Sequence, residues 1–182
     1  MANTNALVGF RPVGSMSGSW EAHVRHEPVD SSNATAIFPG DVITREADGN
    51  VAPAPAGSTQ ILGVCVGIVP DKDNLSRKHL PASTAGTVLV CEDPYVLLEV
   101  QEDAIGGALA LTAIGTNADH VAGAGSTVTG ISGHTLDSSD IVTTSQGFRI
   151  IGLVNRPDNE VGTYAKWLVM INEHAYKTTT GV

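Results

Sequence analysis

From Ala34 onward, apolar residues come in short runs separated by Gly, Asn, Asp, Ser and Pro. The runs at 35–38, 41–45, 60–69, 86–91, 95–101, 126–130, 136–143, 148–155 and 167–173 each read as a β-strand. Pro39-Gly40 turns the chain between the first two, and Asp48-Gly49-Asn50 is a tight-hairpin signal. The segment Ala52-Pro-Ala-Pro-Ala56 is extended but is no central strand, because each proline removes a ladder donor. Residues 60–69 (QILGVCVGIV) are apolar on both faces, which predicts a core strand, with Gly63 and Gly67 permitting bends or close backbone approach. One helix of one or two turns is expected over 102–113, with acids in its first turn and Gly106-Gly107 weakening it. Short strands at short intervals predict a mainly β fold: a compact β-barrel or β-sandwich with at most one or two short helices.

Residues 1–34 read differently. They are rich in Ser, Gly and Asn, show no sustained period, and hold isolated large side chains and prolines. Such a segment cannot pack a core alone, so it is either disordered or ordered by lying on something else. The expected organisation is an extended N-terminal arm at 1–34, a β-domain at 35–175 with a small appended lobe left open, and a polar tail at 176–182. Phe10, Arg11, Pro12 and Trp20 are the arm's candidate anchors for docking along a partner.

Charge and composition narrow the function classes. The 182 residues carry 10 Lys+Arg against 19 Asp+Glu, a net charge of −9, and aromatic residues make up only 4%. A strongly acidic chain without a basic stripe or an aromatic platform is a poor match for nucleic acid. The charge is uneven: residues 1–30 hold two bases and three acids, leaving nearly all of the excess on the remainder. No run approaches the roughly 18 apolar residues of a membrane span, and no signal-peptide pattern opens the sequence, so a cytosolic site of synthesis is expected. Two cysteines, Cys65 and Cys91, build no disulfide framework; buried free thiols are favoured over a single bridge.

The motifs that carry chemistry fail on inspection. Gly123-Ala-Gly125-Ser-Thr-Val128 lacks the third glycine of a dinucleotide fingerprint, and no Gly-Lys-Ser/Thr triplet forms a P-loop. Gly14-Ser-Met-Ser-Gly18 places Met16 where a hydrolase elbow needs its nucleophile. His23 and His26 have no companion ligands at zinc spacing, and the calcium-like opening Asp71-Lys-Asp73 ends in Ala82 where glutamate belongs. A cryptic site built from His120, His134, Asp137 and Asp140 is the one enzyme reading left open. The expectation is no catalytic residue, no metal and no cofactor.

Several segments resemble, in order, the head decoration (cement) proteins of tailed bacteriophages. They are Val88-Leu-Val-Cys-Glu-Asp-Pro-Tyr-Val-Leu-Leu-Glu-Val-Gln101, Gly123-Ala-Gly-Ser-Thr127, Gly133-His-Thr-Leu-Asp-Ser-Ser139, Ile150-Ile-Gly-Leu-Val-Asn-Arg-Pro-Asp-Asn-Glu160 and Ala165-Lys-Trp-Leu-Val-Met-Ile-Asn-Glu-His174. The similarity spans residues 60–182. It implies a non-enzymatic virion protein on the outer capsid surface, assembled in the host cytoplasm. The implied partner is the major capsid protein, with self-association as a homo-oligomer, a trimer favoured and a dimer possible. No residue role is carried over from the family. A fibre or adhesin module binding glycans through Trp20 is the alternative binding reading.

Overall fold

The computed structural model describes residues 3–177. Among these residues eleven strands form two antiparallel sheets. The first sheet holds β1 (Arg11–Ser15), β7 (Val96–Gln101), β11 (Lys166–Ile171), β10 (Phe148–Leu153), β8 (Asn117–Val121) and β9 (Thr135–Val142), in that spatial order. The second holds β2 (Val24–Val29), β6 (Gly86–Cys91), β5 (Ile61–Ile68), β3 (Val42–Arg45) and β4 (Val51–Pro53). The fold is sandwich-like and not a closed barrel.

Alternation along the strands explains which face each sheet buries. Val96, Leu98 and Val100 on β7, Trp167, Val169 and Ile171 on β11, and Phe148 and Ile150 on β10 all point into the space between the sheets. They meet Val42, Ile61, Val64 and Cys91 from the second sheet. The second sheet is also covered on its outer face, where Ile43, Leu62, Cys65, Val88 and Val90 pack beneath Ile37 and Leu80. Those two residues form a bridge between the 30–41 and 70–85 segments, with N–H···O bonds of 2.8 and 2.9 Å. Double coverage is why β5 is apolar at consecutive positions. At Gly63 even a methyl group would overlap the Cys91 carbonyl, so glycine sets the approach of β5 to β6.

The expected N-terminal arm is corrected: the surface that orders it is the chain's own body. Residues 11–15 pair with β7 and residues 24–29 pair with β6, so this segment supplies one edge strand to each sheet. Upstream, the Asn3 side chain donates to the carbonyls of Glu160 and Thr163, and the Ala6 N–H donates to Gln101 Oε1 at 2.9 Å. The missing period misleads because both strands are edges with a proline each and, in β1, a register shift between Pro12 and Gly14.

Other expectations are also revised. No helix forms over 102–113; the only helical turns among the described residues are single 3-10 turns at Trp20–His23 and Leu111–Ala113. Glu102 is fully buried, and its Oε2 accepts the Leu109 N–H at 2.9 Å and the Trp167 indole N–H at 3.2 Å. The chain wraps that carboxylate, with Ala104 and Gly107 at positive φ, instead of coiling. The runs at 35–38 and 126–130 make isolated bridges rather than strands, and β8 forms over a stretch without a clear period. Of the expected tail, Tyr176 and Lys177 lie on the body, where the Tyr176 hydroxyl donates to Glu92 Oε2 at 2.9 Å. Residues 178–182 lie outside the described residues.

Candidate docking surface

Three backbone segments converge at one end of the sandwich. Gly9, Gly40 and Ser132 approach so closely that a side chain at either glycine would strike the other segments, and both glycines hold positive φ. The third segment is a loop, residues 123–133, pinched at its neck. A methyl group on Gly123 would overlap the Gly133 carbonyl, and one on Gly133 would overlap the Ala124 carbonyl. The Gly-Ala-Gly pattern at 123–125 thus serves this neck and the packing of Gly125 against the Phe38 ring. At the tip of the loop Val128 is 81% exposed.

One pocket, of about 420 Å³, opens on one side of this loop. Its walls are Val8, Phe10, Pro12, Trp20, Pro39, Val66 and Ile131, with Arg11 at the same site. All four anchors read from the sequence are brought together here, though with unequal roles. Phe10 is 1% exposed and stacks on Phe148 at 4.6 Å between ring centroids. That corrects its reading as a side chain that reaches a partner; it is the core residue on which the pocket is built. Trp20 is half-buried against the same core, Pro12 is half-buried, and Arg11 is exposed.

On the other side of the loop lies a second pocket of about 500 Å³. Asp41 and His134, both almost fully buried, border it together with Phe38, Pro53, Ala54 and the loop backbone. His134 accepts the Val42 N–H on Nδ1 at 3.2 Å, so its single proton sits on Nε2, 3.6 Å from Asp41 Oδ1. This contact is not an ion pair. Burial, with His120 stacked 5.3 Å away, pushes His134 down to about 3, which leaves the ring neutral. Burial pushes the Asp41 carboxyl up to about 6, opposed by the Ser132 hydroxyl and by the Phe38 N–H donating to Oδ2 at 2.8 Å. Oδ1 has no hydrogen bond of normal geometry.

The sequence grouping of His134 with Asp137 and Asp140 is corrected as well. Asp137 Oδ1 accepts from the Ser139 N–H and hydroxyl, closing a local turn, and Asp140 Oδ2 accepts from Gln146 Nε2 at 2.7 Å. The carboxylate that reaches His134 is Asp41, 93 positions away in the chain and invisible to spacing arguments. His120 does join, its Nε2–H bonded to the Ala54 carbonyl at 3.1 Å. His120 edges onto Phe10, so one aromatic stack links the two pockets.

Elsewhere several charged side chains pair within the fold. Asp71 pairs with Arg77 at 2.9 Å, and Glu99 with Arg156 at 2.9 Å. Cys65 and Cys91 are free buried thiols, pushed up by burial to about 12 and about 11. Among the described residues no cluster of His, Cys, Asp or Glu is arranged to hold a metal, and no helix is long and apolar enough to cross a membrane. No protein-family model matches the chain, and comparisons with curated proteins and with solved structures found no match.

Proposed function

We propose that this protein is a structural subunit that binds the outer surface of a bacteriophage head and stabilises the expanded shell, docking on the major capsid protein. The observation that carries this reading is the gathering of Arg11, Pro12 and Trp20 around one apolar pocket built on Phe10. An apolar hollow with a cationic residue beside it suits a hydrophobic side chain flanked by an acid on the partner. The ordered resemblance across residues 60–182 supplies the class of partner.

The sheet edges support attachment through side-chain surfaces rather than strand addition. β1 carries Pro12 and a bulge, β2 carries Pro28, β4 ends in Pro53, and β9 presents Asp137 and Asp140. Each feature discourages another strand from pairing. A lattice offers many identical sites, so a modest pocket contact becomes firm when the protein is linked as a homo-oligomer, with a trimer favoured. No catalytic step and no cofactor belongs to this role. Mixing purified protein with expanded heads that lack it, then sedimenting and counting bound copies, tests the proposal. Saturable binding at a fixed copy number per shell is expected; absence of binding overturns it.

A further inference from the structure

We infer that the pocket between Asp41 and the 123–133 loop binds an arginine side chain presented by a partner protein. The pocket combines an almost fully buried carboxylate with walls of Phe38, Pro53, Ala54 and Pro55. Apolar walls suit an aliphatic stem, and the carboxylate that borders the pocket suits its cationic head. Asp41 Oδ2 is already engaged by the Phe38 N–H and the Ser132 hydroxyl also lies against the carboxylate, whereas Oδ1 faces the His134 Nε2–H only at 3.6 Å, too long for a hydrogen bond. A buried carboxylate oxygen in this state is costly unless a donor reaches it.

Among the described residues no basic side chain pairs with Asp41. His134, the nearest titratable neighbour, is held neutral by the bond from the Val42 N–H to its Nδ1. The high position of the Asp41 titration has the same cause, a carboxylate desolvated without a counter-charge. Arginine fits better than lysine because its guanidinium is more weakly hydrated, stays charged, and stacks on rings such as Phe38. The net charge of −9 adds long-range attraction for a basic segment. The inference is independent of the docking role proposed above, since isolated protein and small probes test it.

Amide NMR titration with three probes decides it: agmatine, the neutral isostere N-butylurea, and the peptide acetyl-Gly-Arg-Gly-amide. Agmatine and the peptide are expected to shift the amides of Phe38, Ala54 and Gly125 saturably, with the peptide binding at least as tightly as agmatine. N-butylurea is expected to bind at least tenfold more weakly. Asp41→Asn, which keeps an acceptor for Phe38, should weaken agmatine at least tenfold. Ala122→Trp, placed on an exposed wall of the pocket, should block all probes without altering the fold. Equal binding of N-butylurea would mark a merely apolar hollow and overturn the inference. So would binding of agmatine with exclusion of the peptide, or no saturable shift at all.

Discussion

The two pockets beside the 123–133 loop have separate walls linked by one aromatic stack, and they differ in what the fold does with polarity. On the Phe10 side the buried group is a ring with nothing to satisfy, and the one charge, Arg11, stays in solvent. On the Asp41 side a carboxylate and two imidazoles are taken out of water, and Asp41 Oδ1 and His120 Nδ1 are left without hydrogen-bond partners. The first arrangement gives a stable hollow in which surface residues can change freely. The second keeps a charge desolvated, which costs stability unless a ligand supplies the missing partner.

The largest expected effect is at Phe10, the core residue on which the first pocket is built. Phe10→Ala should destabilise the protein by about 3–5 kcal/mol, since it empties a stacked core position. Denaturant unfolding checks this. A change below about 1 kcal/mol, a core cavity's minimum cost, would mean the N-terminal segment is only loosely attached. For the same reason, deleting residues 1–30 is not a docking test: it removes Phe10, β1 and β2 together.

Next is the neck that separates the pockets. Gly133→Ala forces a methyl group against the Ala124 carbonyl, and a loss of about 1–3 kcal/mol is expected. Amide shifts should spread to residues of both pockets, including Ile131 and Ala124. Shifts confined to one side would break the view that one loop shapes both.

Asp41→Asn sharpens the electrostatic half of the contrast. The folded-state value of Asp41 is raised from 3.8 to about 6, so the native state holds this proton more tightly than the unfolded chain. Its ionised form therefore costs stability above about pH 6, and the cost disappears as pH falls from about 6 towards 4. At neutral pH the full cost is about 3 kcal/mol at most. His134 works in the opposite sense: its value is lowered from 6.5 to about 3, so its contribution is lost as pH falls below 6.5. That term is common to wild type and variant and cancels in their difference. Wild type should therefore gain on Asp41→Asn as pH is lowered from 7 to 4, measured by unfolding at each pH. A difference independent of pH would contradict the buried, desolvated carboxylate.

The smallest expected effect concerns the thiols. With Cys65 and Cys91 buried and both pushed well above their usual range, neither should react with a thiol reagent in the native protein at pH 8. Both should react in denaturant. Native labelling of Cys65, which borders the Phe10-side pocket, would show that this pocket opens more deeply than its walls suggest.

Much of the β framework was legible because strands with a buried face carry a period. The runs that became β3, β5, β6, β7, β10 and β11 are largely apolar and bounded by turn residues, while β9 is marked only by Leu136 and Ile141-Val142. β1 and β2 were not legible, since edge strands with prolines and half-exposed faces show no alternation to read. The segment at 102–113 misled through its acids and alanines, because the burial of Glu102 against Trp167 depends on a residue 65 positions away. Phe10, Arg11, Pro12 and Trp20 were legible as isolated large residues in a polar stretch, but neither their gathering at one pocket nor the burial of Phe10 was. Asp41 carried no signal at all. It sits after Pro39-Gly40 like any turn aspartate, and only the fold brings His134 to it.

Capsid attachment is proposed to run through the pocket face carrying Arg11, Trp20 and Ile131. Arg11→Ala combined with Ile131→Asp alters that face at exposed positions and should shift stability by no more than about 0.5 kcal/mol. Binding of this variant to expanded heads, counted per shell by sedimentation and imaging, should fall at least tenfold in apparent affinity relative to wild type. Undiminished loading by a variant that unfolds like wild type would contradict the account.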